Sequence, residues 1–122
     1  MARYVDGFVI PISKRKLKAY LAQARFGAAL WKRHGALAYY ECVGDDLGAD
    51  IGLGFTRMCR LKAGETAIFA FIVYRSRAHR DKVNAAVMKD PEMAGMAKEM
   101  ERAAPFDVKR MAMGGFQVLV SW

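Results

Sequence analysis

At 122 residues, with 54% apolar and 26% charged side chains, the chain has the make-up of one folded domain (1–122) with a modest core. That apolar and aromatic content excludes an intrinsically disordered chain, and no repeat, low-complexity tract or linker divides it. The formal charge is +8, and residues 1–35 hold eight basic side chains against Asp6 alone.

Tyr4 to Ile10 is β-branched and aromatic apart from Asp6 and Gly7, and forms a first strand that Pro11 is expected to close. Ser13 stands where a helix N-cap is needed. Leu17, Tyr20, Leu21, Ala24, Ala28 and Trp31 then recur at helical spacing, up to a stop at His34-Gly35. Ala36 to Val43 is a second strand. The acidic run Gly44 to Asp50 opens a glycine-rich loop that lasts to residue 54. Phe55 to Leu61 is expected to add a strand, turning through Lys62–Glu65 into a hairpin with Ala67–Tyr74, an unbroken apolar run and the strongest strand signal. Ser76 caps a second helix carrying Val83, Ala86 and Val87. Asp90-Pro91-Glu92 restarts the helix with a capping aspartate, a proline at the first position and an acid in the first turn. Met93, Met96, Ala97 and Met100 line the short helix that follows. Pro105 ends it, and Phe106 to Trp122 is expected to hold a last strand, bent or bulged at Gly114-Gly115.

This order predicts an α+β fold of ferredoxin-like βαββαβ type, one antiparallel sheet with helices on one face, elaborated by the extra hairpin strand and the short helix. Such a sheet normally has one wet face and alternating strands. Residues 67–74 are instead apolar on both sides, and 116–120 nearly so. An uncovered patch of that size invites association. A second copy stacked sheet on sheet is the expected cover; the 44–54 loop folding back is the competing one.

The N-terminal residues lack the pattern of a secretory leader, and no segment approaches the roughly 18 uncharged apolar residues of a membrane span. Cys42 and Cys59 lack CxxC spacing and are expected to be free, buried thiols. Together these point to the cytoplasm, with no membrane partner. His34 and His79 stand far apart with no ligand-spaced neighbour, so neither a metal nor a haem motif is present. The serines lack a GxSxG setting, and Gly44, Gly48, Gly52 and Gly54 fit no phosphate loop. No cofactor is expected.

Asp6 interrupts what should be a central strand. A partly buried carboxylate there is either a catalytic base or the partner of a nearby cation, and Lys109 or Arg110 on the adjacent last strand are the expected cations. Glu41 interrupts another apolar strand and Arg57 follows it. With Tyr39 or Tyr40 they either line a pocket for an anionic or aromatic ligand or form a cross-strand ion pair. Asp6, Glu41, Arg57, Lys109 and Arg110 are therefore the candidate ligand-binding residues, and Asp6 the candidate catalytic one. The basic first helix is a surface for nucleic acid or simply a solvated face; aromatics are not interleaved with it as base stacking requires.

Tyr4-Val5-Asp6-Gly7-Phe8-Val9, Gly35-Ala36-Leu37, Glu41-Cys42, Arg80-Asp81, Asp90-Pro91 and, above all, Pro105-Phe106-Asp107-Val108-Lys109-Arg110-Met111 with Gly114-Gly115-Phe116 resemble the bacterial YbaA-like family, a domain of unknown function. The resemblance covers nearly the whole chain. It implies a dimeric α+β barrel, two ferredoxin-like sheets facing each other, but no activity. Groups sharing that architecture include cofactor-free monooxygenases acting on aromatic substrates, haem-degrading enzymes, chlorite dismutase-like proteins and stress-induced proteins, and fold kinship does not choose among them. The glycine-rich 44–54 loop and the basic first helix depart from the pattern. Three functions follow as expectations. One is a homodimer binding a small molecule between sheet and helices, with a cofactor-independent monooxygenase-like enzyme as its catalytic form. The others are an RNA- or nucleic-acid-binding accessory protein and a dimeric accessory without substrate.

Overall fold

The computed structural model describes residues 2–122. At the centre of its sheet lies β1 (Tyr4–Ser13), paired antiparallel along its whole length with β3 (Glu65–Tyr74), from Tyr4 opposite Tyr74 to Ser13 opposite Glu65. The edge strand β4 (Ala112–Gln117) flanks β1 on its other side, and β2 (Ala38–Val43) flanks β3. The strand order is β2-β3-β1-β4, the ferredoxin-like arrangement. β1 runs on through Pro11 instead of stopping there. β4 pairs only as far as Val9, so beyond it β1 has a single neighbour and a residue without an N–H is accommodated.

A 3-10 turn at Lys14–Lys16 leads into α1 (Leu17–Arg33); Ser13 occupies the entry, but its side chain makes no capping bond. Tyr20, Ala24, Gly27 and Leu30 form the buried stripe of α1, at helical spacing. The helix ends at His34-Gly35, with Gly35 at φ 105° and the Ala36 amide bonded to the Trp31 carbonyl. In α3 (Arg77–Lys89) the Ser76 hydroxyl accepts from the His79 amide, and in α4 (Pro91–Ala103) the Asp90 carboxylate accepts from the Glu92 amide. Both caps stand where the sequence places them.

Three expectations are corrected. Phe55–Leu61 is no strand. After Gly54 it forms the four-residue helix α2 (Phe55–Met58), closed by the Met58 and Cys59 amides bonding the Gly54 and Phe55 carbonyls. The Lys62–Glu65 turn does form, but it joins that helix to β3. Phe106–Trp122 holds strand only over Ala112–Gln117: Asp107 caps a 3-10 turn at Val108–Arg110, and beyond Gln117 only the Val118 amide continues the ladder, to the Arg3 carbonyl. Nor is there a bulge at Gly114-Gly115, since pairing with β1 is regular from Val9 to Tyr4.

Alternation along the strands separates two faces. Ile10, Ile12, Ile68 and Ala70 meet Tyr20 and Ala24 of α1, while Ile72 and Tyr74 meet Leu30, Val83 and Val87. Burial of each large aliphatic chain here contributes about 1.5–3 kcal/mol. Among the described residues no helix covers the opposite face. Tyr40, stacked on Phe71 at 5.0 Å, lies there with Phe69 and Phe116, and these two are 48% and 62% exposed. The 44–54 loop reaches only the corner near Val9 and Phe69, and its Ile51 and Leu53 stand in solvent. Neither cysteine is buried as expected: Cys42 is exposed on this open face and Cys59 half-buried. Among the described residues no helix is long and apolar enough to cross a membrane.

Candidate functional site

Between the helical layer and the sheet lies a cleft of about 420 Å³. Phe8, Ala70 and Ile72 form its floor, and the short side chain of Ala70 gives it depth. Six methionines (88, 93, 96, 100, 111 and 113) line it; three of them come from α4, a helix with no fully buried residue. Unbranched thioethers fill irregular space and rearrange easily. From α1, Gln23 Nε2 reaches this wall, donating to Met100 Sδ at 2.7 Å.

The two ends of the cleft are polar. At one, Asp6, only 5% exposed, accepts from Arg80 at 2.9 Å. Strand alternation turns Asp6 toward the helices, and Arg80 reaches it from the first turn of α3. Asn84, one helical turn on, directs Nδ2 at Asp6 (3.5 Å), while its Oδ1 accepts from Trp31 Nε1 (3.0 Å) and the Tyr74 hydroxyl (3.2 Å). The Arg80 guanidinium also sits 4.8 Å from the centre of the Tyr4 ring. Its Nε is 2.9 Å from Asp81 but misaligned, so that buried N–H has no hydrogen-bond partner. Gly115 lies opposite Asp6 because Tyr4 fills the place of a side chain: a Cβ there would fall 2.7 Å from Tyr4 Cε2.

At the other end the Glu41 carboxylate accepts from two phenols, Tyr20 at 2.7 Å and Tyr39 at 2.8 Å. Gly27 of α1 makes room for this: a Cβ would lie 2.8 Å from the Tyr39 hydroxyl. Burial first, and then the Glu41 charge, push both phenols above the ordinary tyrosine value, so both remain donors. Tyr74 is raised in the same way, by burial and by Asp6. Trp31 leans on Tyr39 with ring centres 6.4 Å apart, and Phe106 meets Tyr20 edge-on at 5.7 Å.

Of the five candidate residues the cleft brings together two, Asp6 and Glu41. The cation facing Asp6 is Arg80. Lys109 and Arg110 precede β4 at its far end, because β4 runs antiparallel to β1 and places Gly115, not its start, beside Asp6. Lys109 is exposed. Arg110 instead holds Glu65 at 2.8 and 3.0 Å and bonds the Cys59 and Arg60 carbonyls. Arg57 is exposed on α2, so it lines no pocket with Glu41 and makes no ion pair with it. Tyr39 is the tyrosine beside Glu41; Tyr40 points to the open face. Arg80 and Asn84 carried a legible signal, since with Val83 and Val87 they complete one i, i+3, i+4, i+7 helix face. The basic residues of α1 are exposed and none lines the cleft. His34 is taken up by Asp90, at 2.7 Å. Among the described residues no group of three or more His, Cys, Asp or Glu side chains is arranged to hold a metal ion.

The family model of the proteins of unknown function DUF1428 matches residues 3–108. The uncharacterized protein YbaA of Escherichia coli K12 is 36% identical over 118 residues, 97% of each chain, and its counterpart in Shigella flexneri matches to the same extent. Two solved structures share the fold. A dimeric ferredoxin-like protein from an uncultured marine organism gives a TM-score of 0.62 at 9% identity over 100% of both chains. A nipsnap family protein of unknown function from Agrobacterium tumefaciens gives 0.59 at 15% identity, over 96% of this chain and 88% of the other.

Proposed function

The chain belongs to the DUF1428 family, and from its cleft we propose that the protein is a homodimer that binds a small, largely apolar molecule between its sheet and its helices. One observation carries the reading: a hollow of about 420 Å³ walled by methionine and aromatic side chains, with convergent polar groups at both ends. That is the size and make-up of a ligand site. A purely structural layer would be expected to close at this point, as core packing elsewhere does. Asp6 acts here in binding. Its Oδ1 is held by Arg80, so the pair presents a fixed, neutral polar edge to a ligand group.

The open sheet face supports the dimer. A second copy stacked there removes Tyr40, Phe69 and Phe116 from water, and symmetric pairs are the commonest soluble assembly. The dimeric ferredoxin-like neighbour shares the fold. Stacking by the open faces leaves the helices outside, so each cleft remains accessible.

Native mass spectrometry of freshly purified protein tests both parts. The expected species is a two-chain mass carrying a small adduct. Ala24→Phe, which fills the cleft from α1, should remove the adduct and leave the pairing. A bare dimer refutes the ligand, and a monomer refutes the pairing.

A further inference from the structure

We infer that the cleft takes a cationic head group, so that its ligand is an apolar molecule bearing an amine or quaternary ammonium; the inference rests on the small-molecule reading above. It starts from charge. Among the residues lining the cleft stand two carboxylates, Asp6 and Glu41, and one cation, Arg80. Arg80 and Asp6 are 2.9 Å apart and neutralise each other. Glu41 makes no ion pair among the described residues. Its partners are two neutral phenols. A half-buried carboxylate held only by neutral donors has no counter-ion, and a cation is the group that completes the pair.

The surroundings fit such a guest. A carboxylate has about four acceptor positions, and Tyr20 and Tyr39 occupy two of those on Glu41. The remainder are open to the N–H groups of an ammonium. The same two phenols carry aromatic neighbours that also line the cleft, Phe106 edge-on to Tyr20 and Trp31 against Tyr39. Aromatic faces attract cations, and a ring of them around a charge is how proteins recognise ammonium groups. The phenol donors also orient Glu41, so a head group arriving there meets a fixed carboxylate. The body of the molecule then lies over Ala70 and Ile72, against Met93, Met96 and Met100. Methionine walls accept varied shapes, so the head group sets the preference and the body is read loosely. The expectation of an anionic or aromatic ligand rests on Glu41 together with Arg57; Arg57 does not line the cleft, whose lining totals one negative charge.

Isothermal titration calorimetry of the full chain with three probes of equal body tests the inference: 3-phenylpropylamine, 3-phenylpropanol and 3-phenylpropionate at pH 7. The amine should bind about tenfold or more tighter than the alcohol, the ratio that one hydrogen-bonded charge contact supplies, and the acid weakest. Glu41→Gln keeps the shape and removes the charge, and should bring the amine down to the affinity of the alcohol. An alcohol or acid that binds as well as the amine overturns the inference while leaving the cleft reading standing. So does an amine preference that survives Glu41→Gln. If that variant does not fold, Tyr39→Phe decides: it frees one Glu41 oxygen, so the amine-to-alcohol ratio must hold or rise, and a fall overturns the inference. If none of the three probes binds, the cleft reading falls with it.

Discussion

Removing Arg80 gives the sharpest test of how the cleft is held. Asp6 is 5% exposed and the Arg80 side chain 20%, so the pair is largely out of water. In Arg80→Met the apolar stem is kept and Asp6 is stranded, with Asn84 at 3.5 Å as its remaining donor. Breaking a buried pair from one side costs about 3–5 kcal/mol. The one-fifth exposure of the guanidinium places this case at the lower end, about 3 kcal/mol, a large share of the roughly 5–15 kcal/mol that holds a domain together. Replacing both charges should cost less than replacing one, because no buried charge is then left unmatched. Asp6→Leu with Arg80→Met is therefore expected to recover about 2 kcal/mol relative to Arg80→Met alone. Urea unfolding followed by far-UV circular dichroism, at one protein concentration for all variants, reads these values. A loss below about 1 kcal/mol in the single variant, or a double variant no more stable than it, refutes the buried-pair account.

Other outcomes follow from single contacts. Gly115→Ala should destabilise by about 1–3 kcal/mol in the same urea assay, since the new methyl lands on the Tyr4 ring. Gly95→Ala should stabilise by about 1 kcal/mol, because the position is inside α4 and a Cβ there meets nothing within 4 Å. Arg110 and the Lys62 amide hold the Glu65 carboxyl at about 2, below its usual 4.5. Being a depressed acid, it adds stability above pH 4.5 that is lost as the pH falls toward 2, so Glu65→Gln should flatten the fall of the melting temperature across that window. Phe69→Asp places a charge on the open face and should convert a dimer to monomers in sedimentation velocity, with the fold intact by circular dichroism.

Where a feature depends on local rules, the chain declares it. Ser76 and Asp90-Pro91 mark their helix starts without ambiguity, His34-Gly35 marks a stop, and the two-sided apolar run at 67–74 announces a sheet that helices cover on one face only. Phe55–Leu61 misleads because a four-residue helix spans barely one period, too short to be told from a strand. The length of β4 depends on where β1 stops offering partners, which no local pattern in Phe106–Trp122 encodes. The cleft was half legible. Asp6 and Glu41 stand out as carboxylates in apolar strands, but Arg80 comes to Asp6 from 74 positions away, and of the two phenols on Glu41 only Tyr39 is local, Tyr20 lying 21 positions off. Finding Arg80 required the strand register, which sets Gly115 rather than Lys109 or Arg110 beside Asp6.

The two-sided apolar character of the central strands has a further consequence, for folding fidelity. In an ordinary half-wet sheet a slip of one residue throws the apolar set into water and is rejected at once. β1 and β3 lack that safeguard, because either face of each strand is greasy. What a slip would do here is carry Asp6 out to the open face, away from Arg80, and bring Gly7 beneath the guanidinium. A shift of β2 would likewise take Glu41 from its two phenols. The few polar side chains in these strands therefore act as alignment keys. Substituting Asp6 and Glu41 together by apolar residues would leave a chain able to pair its strands in more than one way, even where each substitution alone is tolerated.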